Sequence, residues 1–231
     1  MNKTFLIIVL FILNTQFCYS SVRAYAGGNL STLNTNNSSS QMNFLIGVDK
    51  TWVNNWYGLS FGLQYIERSS LMKDITMIFP LGNSGYYLDV LFLVRYIELP
   101  ILCNIQLKES RVFKFEFNFG PSLGISFGDY SKSTFSKSFE ITNRQEFINN
   151  TRNLYYEYDD PAELFRGQHF SGVFINVGFN IEYHKTFVEF RYSHGISEFE
   201  YLYGLSMHGE KFRTFEFMLG MHFNSKNSDK K

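Results

Sequence analysis

Residues 57–65 read YGLSFGLQY. In an extended chain Tyr57, Leu59, Phe61, Leu63 and Tyr65 fall on one face and Gly58, Ser60, Gly62 and Gln64 on the other, because successive strand side chains point opposite ways. The two faces differ in size as well as in polarity. A closed sheet of eight strands leaves an interior only just wide enough for side chains to fill it. Phe, Tyr and Leu from every strand would overfill that space, whereas Gly, Ser and Gln fit. The large residues therefore face outward, and an outward apolar band of that extent is stable only against lipid.

The same alternation recurs along the chain. Phe113, Phe115, Phe117 and Phe119 alternate with Lys114, Glu116, Asn118 and Gly120. Val173, Ile175, Val177, Phe179, Ile181 and Tyr183 oppose Gly172, Asn176, Gly178, Asn180 and Glu182, and Val188, Phe190 and Tyr192 oppose Glu189, Arg191 and Ser193. The last segment sets Phe215, Phe217, Leu219, Met221 and Phe223 against Glu216, Met218, Gly220 and His222. Segments 21–30 and 43–52 carry a weaker version, with Phe44, Ile46, Val48 and Trp52 outward. Lys50 shares that face and can snorkel to a membrane rim. Short links at Asn54-Asn55, 108–111 and Lys185-Thr186 alternate with long ones at 31–41, 69–86, 129–168 and 199–211. Three turns and four loops make an all-β, eight-stranded antiparallel up-and-down transmembrane β-barrel, with short turns on the periplasmic side and longer loops outside.

Turn chemistry sets expected registers. A two-residue loop at Asn54-Asn55, where Asn tolerates positive φ, places Trp52 opposite Tyr57 and Val48 opposite Phe61. The 108–111 link pairs Leu107 with Phe113 and Cys103 with Phe117, and the Lys185-Thr186 link brings Glu182 opposite Glu189. Pro100 and Pro121 then lie at nearly one level beside Gly120, and since each lacks a ladder donor the level should hold a bulge or kink. Trp52, Tyr57, Phe113, Tyr183 and Phe223 would form the periplasmic aromatic girdle, and Tyr65, Phe127 and Tyr192 the outer one.

The N-terminus carries Lys3, an apolar stretch at 5–13 and Ser20 ahead of Ser21, the pattern of a cleavable secretory signal over residues 1–20. The barrel domain then runs over 21–224 and a short polar tail over 225–231. Cys18 as a lipidated mature N-terminus is a poor fit because bulky Phe17 precedes it. Once the signal is removed Cys103 stands alone, so no internal disulfide can form. Lys+Arg and Asp+Glu both number 21, which leaves no basic field to attract nucleic acid. No segment after Ser20 is apolar enough for a transmembrane helix. The expected location is the bacterial outer membrane.

Candidate chemistry is sparse. The inward charges are Asp49, Glu98, Glu116, Glu182, Glu189 and Glu216 with Arg23, Lys114 and Arg191. They read either as a salt-bridged plug closing the lumen or as a proton or ion path, and the plug is the expectation. Ser193-His194 with Ser197 raises a lipid-modifying barrel enzyme, but a catalytic Ser and His need hydrogen-bond reach, and both serines point away from His194. The histidines at 169, 184, 194, 208 and 222 show no metal-ligand spacing, so no catalytic residue, metal or cofactor is expected. The 129–168 loop carries eight aromatics with mixed charges, suited to a protein or glycan contact. It reads equally as a structured connection, with 135–141 and 154–158 extending the walls as a hairpin.

Segments 96–107 (YIELPILCNIQL), 115–128 (FEFNFGPSLGISFG) and 188–197 (VEFRYSHGIS) resemble the corresponding strands of the small outer-membrane β-barrel family abundant in Bacteroidota, labelled "porin family" or PorT-like. The resemblance implies the barrel fold and outer-membrane lipid as surroundings. It also raises a role as an accessory component of a secretion or envelope-assembly machine. By resemblance to the barrel class, Phe223 at the end of the closing strand is the aromatic that the insertion machinery would read.

Overall fold

A computed structural model describes residues 19–35, 37–54, 56–78, 84–110, 112–140, 171–197 and 211–224. Eight strands occur in chain order: β1 Tyr19–Leu33, β2 Ser38–Asn54, β3 Tyr57–Ile78, β4 Ser84–Glu109, β5 Phe113–Glu140, β6 Ser171–Tyr183, β7 Thr186–Gly195 and β8 Phe212–Asn224. Each pairs antiparallel with its neighbour, and β1 pairs with β8 to close the barrel.

The large residues are outside. Phe44, Ile46, Val48, Phe61, Leu63, Phe179, Phe217 and Leu219 are exposed, while Arg23, Asp49, Ser60, Gln64, Asn118, Asn180 and Glu216 are buried. Both girdles are linked by ring contacts: Tyr65 lies 5.8 Å from Phe127, Phe113 lies 5.2 Å from Tyr183, and Tyr192 lies 4.9 Å from Phe215. The Lys50 ammonium sits 5.2 Å over the Trp52 ring, where it can reach the periplasmic interface.

Strands run past the expected ends. The connection expected over 31–41 shrinks to 34–37, since β1 reaches Leu33 and β2 starts at Ser38. The 69–86 loop contracts likewise, because β3 continues to Ile78 and β4 begins at Ser84. β5 extends to Glu140 and so takes in the first part of the 129–168 loop; 141–168, with the possible strand at 154–158, lies outside the described residues, as does 199–210.

All three register expectations move by two. Asn54 pairs with Tyr57, so Trp52 faces Leu59 and Val48 faces Leu63. Tyr183 pairs with Thr186, and the turn is His184-Lys185 with His184 at φ 53°. Glu182 therefore faces Phe187, and Glu189 faces Asn180 rather than Glu182. Cys103 faces Phe119, and Leu107 drops out of the ladder at a bulge between Gln106 and Lys108. Sliding a hairpin turn by one residue moves each pair by two positions, which leaves every side chain on its face.

The proline level interrupts the ladders without the expected bulge, because the register is the same on both sides of the gap. Between β4 and β5 the pairs resume only at Pro100–Ser122 and Cys103–Phe119, and between β3 and β4 only at Phe61–Ile101 and Gln64–Glu98. Gly120 lies there at φ 156°, where an added Cβ would come within 2.1 Å of the Ile101 carbonyl oxygen.

The interior changes character with height, which the alternation alone does not announce. Above the charges an apolar group seals the outer end: Leu33, Met72, Val90, Phe92, Val94 and Phe212 are all buried. At the same height an ion pair appears on the outer wall, Arg95 Nε to Glu67 Oε1 at 3.4 Å, both partly exposed. A charged pair facing outward marks the edge of the hydrocarbon. From Arg95 down to Lys108 is thirteen residues along β4, which at about 3.3 Å each and a tilt of about 40° cover about 33 Å, close to the thickness of a bilayer core.

Gly120→Ala is expected to destabilise the barrel by about 2–4 kcal/mol through a backbone clash and a strained φ. Gly28→Ala, whose Cβ would meet nothing nearer than 3.5 Å, should be close to neutral. Urea unfolding in detergent micelles separates the two.

Candidate functional site

The lumen is built around one chain of charges that alternates in sign. Asp49 on β2 receives two hydrogen bonds from Arg23 on β1, at 2.7 and 2.8 Å. The same guanidinium lies 3.8 Å from Glu189 on β7. Glu189 accepts from Arg191 Nη2 at 2.6 Å, and Arg191 Nη1 is 3.5 Å from Glu216 on β8. Glu216 lies 3.6 Å from Arg68 on β3, and Arg68 pairs closely with Glu98 on β4. Each arginine stands between two carboxylates. All seven are buried.

The two remaining strands join through amides and hydroxyls. Asn118 on β5 donates to Glu189 at 3.1 Å, Ser122 donates to Glu98 at 3.4 Å, and Asn180 on β6 donates to Glu116 at 3.3 Å. Gln64 is the hub of the middle level, accepting from the Tyr25 hydroxyl at 3.1 Å and from Arg191 at 3.2 Å while donating to Glu98 at 3.0 Å. Buried charges persist only when paired and hydrogen-bonded, and here the pairing crosses every wall. Towards the periplasmic mouth Lys114 pairs with Glu116 and lies 3.8 Å from Glu182, whose other oxygen is 3.2 Å from His222 Nε2.

All nine charges singled out in the sequence (Arg23, Asp49, Glu98, Lys114, Glu116, Glu182, Glu189, Arg191 and Glu216) therefore enter the lumen, though not in the expected pairing. Glu182 is bound by Lys114 across the β5–β6 ladder, so no like-charge contact with Glu189 needs bridging. Sequence reasoning missed Arg68. Its guanidinium also donates to Thr214 at 3.0 Å and Ser193 at 3.2 Å, and it lies 4.0 Å over the Phe174 ring and 5.5 Å over Tyr96. The signal was present, because Gln64, Ile66, Arg68 and Ser70 continue the inward phase of β3 past Tyr65, where the reading of its two faces stopped.

The remaining candidates do not converge. Ser193 is buried against Arg68 while His194 lies on the outer face, its ring 6.3 Å from Tyr192. Ser197 Oγ accepts from the Val173 amide at 3.0 Å. His169 and His208 lie outside the described residues, and no metal-binding group of His, Cys, Asp or Glu occurs among the described ones.

Replacing Arg68 by Met leaves Glu98 and Glu216 without their shared cation, and a cost of about 3–5 kcal/mol is expected. Arg68→Met combined with Glu98→Gln should recover part of it. The denaturant midpoint of the three proteins in micelles checks the order.

The family described as Outer membrane protein beta-barrel domain matches residues 14–200. No curated protein matches the sequence. Among solved structures, the Ail protein of Yersinia pestis, in complex with the heparin analogue sucrose octasulfate, aligns over 89% of this chain and 99% of its own at 9% identity and a TM-score of 0.41. Neisserial surface protein A aligns over 88% of this chain and 97% of its own at 9% identity and a TM-score of 0.39. The outer membrane enzyme PagL aligns over 86% of this chain and 98% of its own at 10% identity and a TM-score of 0.35.

Proposed function

The chain belongs to the outer membrane protein beta-barrel domain family, and on that premise we propose that it is a closed barrel of the bacterial outer membrane acting through its outer rim as a structural or surface-interaction protein. Residues 21–224 form its one domain behind a cleaved leader. The observation that carries the reading is the alternating chain from Asp49 to Glu98, which joins strands on opposite sides of the lumen with fully buried arginines. Above it the apolar group around Phe92 and Phe212 covers the outer end. An ion moving through would have to separate pairs at 2.6–2.8 Å and pass the buried side chains of Leu33, Met72, Phe92 and Phe212. The label "porin" is thus not a function for this chain.

Catalysis is not part of the reading: Ser193 is held by Arg68 and faces away from His194. The working surface is then the outer rim, with the 129–168 segment as the contact for a protein or glycan. Membership in a secretion or envelope-assembly machine is the second reading. The height of β4 and β5 supports it, since strands of 26 and 28 residues far exceed the about ten that cross a bilayer and raise a wall on one side of the mouth.

Two measurements test these statements. In planar bilayers the purified protein should give no stable unit conductance, and steady channels of porin size overturn the closed lumen. Crosslinking and affinity purification from native membranes distinguishes the two roles: stoichiometric envelope partners support the assembly reading, and recovery of monomer with bulk lipid opposes it.

Phe223 is exposed on the lipid face, paired with Val22 across the closing seam, and is proposed as the residue read by the insertion machinery. Phe223→Ala should lower the amount of barrel assembled in the outer membrane while leaving refolding in detergent nearly intact. Equal losses in both would reduce it to a girdle residue contributing about 1.5–3 kcal/mol of apolar burial.

A further inference from the structure

One part of the lipid-facing surface is concave. Across β6, β7, β8 and β1 the outward side chains Phe179, Phe190, Phe217 and Leu30 border an apolar furrow of about 520 Å³, and Gly28 forms part of its floor. The furrow exists because β1 presents Gly28 outward between its cross-strand partners Phe217 on β8 and Phe44 on β2. Its outer end is closed by Tyr192 and Phe215, which pair across β7 and β8 with rings 4.9 Å apart.

The next outward position on each of those two strands is basic. His194 and Arg213 face each other across the same ladder, and Arg213 is flanked on β1 by Thr32. Arg213 is exposed and His194 half-buried, and among the described residues no carboxylate is paired with either. The two lie at the level where strands leave the hydrocarbon, about 7 Å above the Tyr192–Phe215 rung. A cation at the interface above an apolar slot matches a molecule with an anionic head and an acyl tail, since a phosphate takes charge-assisted hydrogen bonds from the Arg213 guanidinium and a hydrogen bond from an imidazole N–H while the chain fills the slot below.

We propose that the β6–β7–β8–β1 face is a specific site for a phosphorylated lipid of the outer leaflet, with its phosphate on Arg213 and His194 and one acyl chain in the furrow over Gly28. The site lies outside the lumen and does not depend on the lumen being closed.

The test uses the full chain refolded in a non-ionic detergent and native mass spectrometry with dimyristoyl phosphatidylglycerol as the probe. One lipid should bind per barrel. Dimyristoylglycerol, with the same chains and no phosphate, should bind about tenfold more weakly, as should the lipid on the Arg213→Gln, His194→Gln double variant, a loss of the size expected for hydrogen bonds to a charged group. Arg213→Lys should retain most of the binding. Gly28→Leu fills the furrow without touching the cations and should also weaken binding, and it decides the matter if heat-modifiable migration shows the double variant unfolded. Equal binding of the two lipids, or unchanged binding in the folded variants, overturns the proposal. Full displacement by inorganic phosphate would make this an anion site with no lipid component and overturns it as well.

Discussion

Three guanidinium groups are buried in the lumen, and each is held between two carboxylates. The attraction between unlike charges a few ångströms apart grows as the dielectric falls, but so does the cost of removing each from water. A single pair would barely break even. In an alternating chain each inner charge faces two partners, so the desolvation of one arginine is offset by two carboxylates. Arg23, Arg191 and Arg68 each follow this rule. Gln64 and Ser122 satisfy the Glu98 oxygen that Arg68 does not reach, and Asn118 adds a donor to the Glu189 oxygen that Arg191 holds. Such a network specifies register as well as stability, because a strand displaced by two residues would keep its faces yet bring like charges together.

The barrel also inverts its polarity along its length. Within the bilayer β4 turns Glu98 and Asn104 inward and Ile97 and Leu99 outward, whereas above it Val90, Phe92 and Val94 turn inward and Arg95 outward. Lipid requires the first arrangement and water the second. One continuous sheet therefore behaves as a membrane barrel below Arg95 and as the wall of a water-soluble barrel above it, with the Glu67–Arg95 pair at the boundary. Arg213 and His194 lie near the corresponding height on the far wall.

The alternation of large and small residues was legible at once in YGLSFGLQY, and it placed all nine inward charges on the correct face, because a period of two is local and survives any error of register. The pairings were not legible. They depend on which two residues turn, and His184 adopts positive φ although Lys185-Thr186 looked equally suitable. Arg68 escaped because polar residues beyond Tyr65 resemble a loop when strands are expected to end with the membrane. The inner apolar layer escaped for a related reason: in sequence Val90, Phe92 and Val94 alternate with Leu91, Leu93 and Arg95, and only closure of the sheet shows which set is enclosed. The furrow arises from small residues on one strand set beside large ones on its neighbours, a juxtaposition that no single segment displays.

The charge chain carries a kinetic consequence. Arg68 donates to Ser193 and Thr214 across 125 and 146 positions, and Arg191 reaches Gln64 across 127. These separations are long, though shorter than those of the β1–β8 seam, where Ser21 pairs with Asn224, and non-local contacts form late because loop closure must precede them. Until β8 meets β1 and β7, Arg68 has Glu98 on the adjacent strand but lacks Glu216, and an open sheet would carry half-neutralised guanidinium groups into hydrocarbon. Closing the seam is accordingly the step that completes the charge chain, and a sheet of the first strands alone would leave Arg68 with one of its two carboxylates.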